Sequence, residues 1–366
     1  MKTKIAFIVL ILFSTGCTRS RLEDDREIRI ERNLRSEIDV HDLFADVRFV
    51  LLESDETHPI GEAKKVIVDA ETIFVSDGRN IFQYTKEGRY LRSLNRRGRG
   101  PQEYYDVLDF CVRGDELFII DRNRKILKYT VSNEYVASAT LDFYPATLFA
   151  LDDGDLLLTS AYQNDVDKFH LYDAATFERL GSFGPIRPAE LSYRHIMNQS
   201  NFFRYGDAVL FHEPMNDTIY RLQKDGLKVS AFLNLYGQNP PASFWERTYA
   251  NVMEVNRRAT EDKYCFGTPV YAENAGSILF TYRDAADYLL CRYSKRDGRS
   301  EQFRAIRFHP DIPPVDVADL AFGFHDAESL SIVIPDYCLT DSEGRAYAKE
   351  LASSDGNPTV CFVAMR

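Results

Sequence analysis

Short apolar runs broken by polar turns recur along this chain, and two of the phrases they make can be laid one on the other. Residues 73–94 read IFVSDGRNIFQYTKEGRYLRSL and residues 117–141 read LFIIDRNRKILKYTVSNEYVASATL, so Phe74 answers to Phe118, Asp77 to Asp121 and Tyr84 to Tyr129. Self-similarity at an offset of about 45 residues implies stacked supersecondary units. The phrase is a run, a turn, a second run ending near tyrosine, a turn and a third run; it returns more weakly at 156–173, 208–226 and 278–298. Each copy is preceded by one more short apolar strand, at 63–70, 107–112, 146–151, 201–205 and 269–272.

Four strands per unit at this spacing predict the blades of a β-propeller. A blade covered on both faces by its neighbours has inner strands that are apolar throughout instead of alternating, as in KVIVDA, LFIID and ILFTY. Five blades fill about 63–308, and a sixth is pieced together from 318–336, the terminal PTVCFVAMR and the early DVRFVLLES. The expectation is an all-β, six-bladed propeller whose N- and C-terminal strands share the last blade, which removes an exposed edge.

Two segments break the strand rhythm. Ser243-Phe-Trp-Glu246 has the form of a capping box behind Pro240 and Pro241, with Trp245, Tyr249, Val252 and Met253 following at helical spacing. This predicts a helix over 242–258, an insertion at about 240–260 between blades four and five. A second helix is predicted over 342–351.

The chain opens with Lys2 and Lys4, an apolar run from Ile5 to Phe13, and Ser14-Thr-Gly16 before Cys17. That is the layout of a cleaved secretion signal, and the run is shorter than the roughly 20 residues a spanning helix needs. The cysteine behind a small-residue site resembles the lipobox of bacterial lipoproteins, with Ser14 where Leu, Val or Ile is usual. The resemblance implies lipidation of Cys17. The domain reading is then a signal peptide at 1–16, a lipidated tether at 17–26 and a propeller at 27–366, placing the protein in the cell envelope.

Composition supports strands, with 25 Phe and 21 Tyr. The net charge of −11 falls further when Lys2 and Lys4 leave, and argues against nucleic acid as a partner, since phosphate backbones call for a basic face. Behind Cys17 stand Cys111, Cys265, Cys291, Cys338 and Cys361, scattered and without a C-x-x-C pair. One disulfide fits that pattern but a disulfide framework does not. Cys111, Cys291 and Cys361 fall inside apolar runs, as small buried hydrophobes do.

Three stretches carry a wider resemblance: DVHDLFADVRFVLLESDETHPIGEAKKV at 39–66, LNRRGRGPQEYYDVLDF at 94–110 and NPTVCFVAMR at 357–366. With its Gly-Pro-x-Glu-Tyr loop, the chain resembles the six-bladed β-propeller lipoproteins abundant in Bacteroides and its relatives, distant kin of NHL-repeat propellers. Leu52 stands where that family usually has proline. The resemblance implies a fold and brings no catalytic residues.

Candidate chemistry lies in loops on a rigid scaffold. The crossing from blade one to blade two holds Arg96, Arg97, Gly98, Arg99, Gly100, Pro101, Gln102, Glu103 and Tyr104. Its arginines offer forked donors to carboxylates, sulfates or phosphates. A structural reading stands beside this one, with an arginine paired to Glu103 or to a neighbouring Asp. A fainter echo at Gly184-Pro185-Ile186-Arg187 puts Arg187 on the same rim, and Trp245 would shape a pocket from the helix or simply pack against the propeller. Tyr104, Tyr105 and Tyr193 are candidates for stacking on sugar rings.

The seven histidines lack metal-ligand spacing, and neither a G-x-S-x-G elbow nor a G-K-[ST] phosphate loop occurs. No cofactor or metal is expected. The reading is a monomeric, non-catalytic binding or scaffolding protein for a glycan, peptide or partner protein at the channel rim. The alternative is a lyase or hydrolase acting on polysaccharide or envelope polymer, which needs paired carboxylates that 56 acidic residues could supply. A third is a structural or sensory component without a small ligand.

Overall fold

The computed structural model describes residues 27–53, 59–69, 71–163, 165–194, 202–223, 226–285, 287–325, 329–342, 344–349, 351 and 357–366. The signal sequence, Cys17 and the tether lie outside them.

The fold is an all-β propeller. Its strands gather into six sheets, five of them built from successive strands of one continuous stretch. The first sheet takes Lys65–Asp69, Thr72–Ser76, Ile81–Thr85 and Tyr90–Leu94 from inside to outside, all antiparallel. The second runs from Asp109–Arg113 out to Tyr135–Thr140, the third from Pro145–Ala150 to Arg179–Pro185, the fourth from Phe202–Tyr205 to Gly226–Leu235, and the fifth from Cys265–Glu273 to Ser300–Arg307. The other sheet is composite, in the order Ala321–Phe324, Ser329–Ile334, Thr359–Met365 and Phe44–Leu51. Val360 pairs with Val50 and Cys361 with Phe49, so the two ends of the propeller share one sheet.

The repeat seen in the sequence is a repeat of local chemistry. Asp77 Oδ1 accepts from the amides of Arg79 and Asn80, and Asp121 Oδ1 from those of Asn123 and Lys125, each closing the same hairpin with a short polar side chain. Tyr84 and Tyr129 are buried completely and meet Tyr90 and Tyr135 edge to face, with centroids 5.8 and 6.0 Å apart. Apolar clusters fill the gap between each sheet and the next, and Val50, Val333 and Val360 of the composite sheet pack with Val66, Ile73 and Val75 of the first. Leu52, in place of the usual proline, joins that last cluster and is buried.

The N-terminal segment does something the apolar pattern left unannounced. Glu27–Ile30 adds a parallel strand to the outer edge of the fourth sheet, and Leu34–Asp39 adds one to the outer edge of the fifth. Only then, after a one-turn helix at Val40–Leu43, does the chain enter the composite sheet. This strap covers two edges whose open amides and carbonyls would otherwise invite pairing.

The helical expectations need correction. In place of one helix over 242–258 there are two, Ala242–Trp245 and Val252–Glu261. Ser243 makes no cap; Asn251 does, accepting from the amides of Met253 and Glu254, while Glu254 reaches back to the amide of Ala250 at 2.8 Å. That second start, an Asn-x-x-Glu box, breaks the helix at 246–251. Met253, one of the four residues at helical spacing, is 70% exposed. The described residues within 342–351 form turns, with Thr340 bridging to Ala346, and no helix.

Candidate functional site

Inner strands of a propeller run side by side around the axis, so the crossing loops that deliver them and the turns between second and third strands gather on one face. Three features meet there: the first crossing loop, a buried charge network beneath the two helices, and the mouth of an axial cavity.

The first crossing loop is clamped to the second sheet. Lys125 Nζ donates to the carbonyls of Gly100 and Glu103 at 2.8 and 2.7 Å, the Tyr129 hydroxyl to that of Gln102 at 2.7 Å, and Ser138 Oγ to that of Pro101 at 2.9 Å. Glu103 folds back and accepts from the Gly100 amide at 2.8 Å, so its partner is backbone and not the expected arginine. Tyr104 is fully buried and donates to the Leu94 carbonyl at 2.8 Å; burial pushes its phenol up to about 12. Glu103 and Tyr104 therefore hold the loop's shape and face inward. Arg97, Arg99 and Gln102 face solvent, and Arg97 Nε approaches the Tyr105 carbonyl at 3.4 Å.

The network was not foreseen. Lys168 Nζ lies 2.9 Å from Glu190 Oε1 and 3.0 Å from Glu213 Oε1, while Arg194 reaches Glu190 Oε1 and Glu213 Oε2, each at 3.2 Å. Both glutamates are buried, as is Arg194. Tyr162 donates to Glu213, and Asn216 Nδ2 lies 3.2 Å from its other oxygen. Burial alone would raise the Glu213 carboxyl, but Arg194 and Lys168 outweigh it and hold it down at about 2. Two cations against two anions leave the centre neutral, which suits a brace between the third and fourth sheets. Arg187 joins it at 3.1 Å from Glu190, with its side chain 53% exposed.

Beside the network, His212 donates from Nε2 to the Asn216 carbonyl at 2.8 Å and Gly267 sits against its ring. Burial lowers this imidazole to about 4, so it is neutral at pH 7. Asp217 accepts from the Gly267 amide at 2.8 Å, and burial raises its carboxyl to about 7. Trp245 is half-buried among Tyr193, Phe244 and Phe266, and its carbonyl accepts from the Tyr193 hydroxyl at 3.1 Å. Its surroundings bind it into the helical cap.

The axial cavity has a volume of about 210 Å³ and takes wall residues from the inner strand of every sheet: Val66, Cys111, Leu148, Phe202, Val270 and Ala321. Gly323 keeps the composite sheet close to the first, since a β-carbon there would stand 2.7 Å from the Val66 carbonyl oxygen. Lys65 Nζ crosses to Asp109 Oδ1 at 2.6 Å and to the Phe110 carbonyl at 2.8 Å, and Asp109 Oδ2 accepts from the Leu148 amide at 2.8 Å. One lysine and one aspartate so link three successive inner strands. Lys64 and Ala318, both exposed where inner strands enter the ring, line its edge on that face.

All five described cysteines are free, so the disulfide the sequence allowed is not formed among them.

No curated protein matches the sequence. Among solved structures, a candidate exported protein from Bacteroides fragilis superposes with a TM-score of 0.73 at 16% identity, covering 93% of this chain and 99% of that one. At that identity the likeness is one of fold. The RRP9 WD40 repeats follow with a TM-score of 0.45 and 12% identity over 88% and 99% of the two chains. A family model described as a domain of unknown function, DUF4934, matches residues 26–362, and the chain belongs to that family.

Proposed function

We propose that the protein is an exported, lipid-anchored propeller of six blades that serves the cell envelope as a monomeric, non-catalytic binding protein. The composite sheet is counted as the sixth blade because it contributes an inner strand to the axial cavity as the other five do. Export is supported by the charged, apolar and small-residue order of residues 1–17, and by the fold shared with a Bacteroides fragilis protein considered to be exported. In this reading Cys17 carries the lipid and residues to about 26 form the tether.

The observation that carries a binding role is the convergence on one face of a partly enclosed axial cavity and exposed side chains on clamped loops. Fixed loops around a concavity are how rigid scaffolds present recognition groups. Arg97, Arg99 and Gln102, with Arg187 and Trp245 across the face, form the rim on which a glycan, peptide or protein would rest.

Two measurements test the reading. Fractionation of cells making the Cys17→Ser chain should move it out of the membrane fraction; retention there rejects the lipid anchor. Glycan and peptide arrays probed with the protein should give binding that falls at least tenfold in Arg97→Ala and Arg99→Ala. Unchanged binding in both rejects the rim.

A further inference from the structure

The charges of the axial cavity run against those of the chain. The sequence holds 56 acidic and 45 basic residues, yet the charged groups lining the cavity are Lys64, Lys65 and Arg204, with no carboxylate among the lining residues. Two of these cations are accounted for. Arg204 is paired with Asp152 at 2.9 Å and lies over the Phe149 ring, and Lys65 is neutralised by Asp109. The nearby Asp106 is itself paired with Arg122 at 2.9 Å. Lys64, at the edge of the cavity where the first inner strand enters, lays the end of its side chain over Gly78 and has no ion pair among the described residues. Lys65 retains one N–H beyond the two it gives to Asp109 and Phe110. The mouth is therefore a point of positive potential set in a low-dielectric wall, which attracts anions and repels cations.

Below the lysines the wall is apolar and aromatic, with Phe149, Phe202, Phe322 and Tyr288 among its side chains. A volume of about 210 Å³ is below the roughly 300–1,000 Å³ of clefts that enclose drug-sized ligands. An oligosaccharide is too large and too polar for this space, and free phosphate would leave the aromatic wall unused. Resting on the binding role proposed above, we propose that the axial cavity takes a compact organic monoanion with an aromatic or branched apolar body, its carboxylate held at the mouth by Lys64 and Lys65.

The test is calorimetry on the full chain in mild detergent with three probes of one shape: 4-phenylbutyrate, its amide and 4-phenylbutylamine. The carboxylate should bind, and its affinity should fall as salt rises; the amide and amine should bind at least tenfold more weakly. Lys64→Met should weaken the carboxylate at least fivefold without lowering the melting temperature, because Lys64 is exposed. Val270→Phe, which fills the cavity, should abolish binding. Equal affinity for acid and amide, or unchanged affinity in Lys64→Met, overturns the proposal, as does failure of all three probes to bind. Array binding that depends on Arg97 in that same preparation would leave the rim reading standing while the cavity proposal falls.

Discussion

The carboxylate of Glu103 occupies the space that a β-carbon on residue 98 would need, so Gly98 and Glu103 form one structural unit. The Gly-Arg-Gly-Pro-Gln-Glu-Tyr stretch owes its form to this fit: a glutamate folded under one glycine to reach the amide of another, then a tyrosine buried against the preceding strand. Gly98→Ala should drive the carboxylate off the Gly100 amide at a cost of about 1.5–3 kcal/mol, the range for a hydrogen bond to a charged group. Glu103→Ala loses the same bond. The double variant should then be no less stable than the worse single one, a coupling that chemical denaturation of the three proteins measures.

The Glu213 carboxyl, held at about 2 against an ordinary 4.5, binds its proton less readily in the folded state than in the unfolded one. Its contribution is complete above about pH 4.5 and fades as pH falls toward 2. Glu213→Gln should cost about 3–5 kcal/mol at pH 7 by leaving buried cations undercompensated, and should flatten the acid limb. Urea denaturation at pH 7 and between pH 5 and 2.5 reads both effects.

Asp217 has the opposite sign. Burial lifts its carboxyl from 3.8 to about 7, so the folded state holds a proton that the unfolded state gives up. A destabilisation builds between about pH 3.8 and 7 and is constant above that. Asp217→Asn keeps an acceptor for the Gly267 amide and has no charge to bury. It should gain stability relative to the parent at pH 8 and little at pH 4, as melting temperatures at the two values would report; equal shifts at both would refute the assignment.

Cysteine reactivity follows burial. Cys111, Cys265, Cys291 and Cys361 are buried and their thiols pushed well up, whereas Cys338 is half-buried and lifted to about 11. In native protein at pH 8, iodoacetamide should modify Cys338 first and slowly, since the thiolate is the nucleophile. Denaturant should open the other four, and mass spectrometry of peptides gives the order.

What could be read from the sequence followed the range of each interaction. The Oδ1 atoms of Asp77 and Asp121 lie within four residues of the turn amides they accept from, and Tyr84 and Tyr129 within six of their ring partners, so these repeats are written locally. Closure of the ring was also legible, because PTVCFVAMR and DVRFVLL are unmistakable strands in want of a sheet. The strap was not. Glu27–Ile30 is short and half polar, and its partner at Phe232–Leu235 is some 200 residues away. The network was hidden for the same reason, with Tyr162, Lys168, Glu190, Arg194 and Glu213 drawn from separate loops and strands. Its local traces were short-range pairs, Arg187 and Arg194 at three and four residues from Glu190 and Asn216 at three from Glu213. The helix break was written plainly in Asn251-x-x-Glu254, a second capping box overlooked behind the first.

A pull on the chain from its N-terminal side meets the strap before it meets the ring. Tension would first have to strip Glu27–Ile30 from the fourth sheet and then Leu34–Asp39 from the fifth. Only after both had peeled would it load Phe44–Leu51, the strand that locks the two ends together. Were the chain held at its N-terminal end, these two added strands would bear load before the strand that closes the ring.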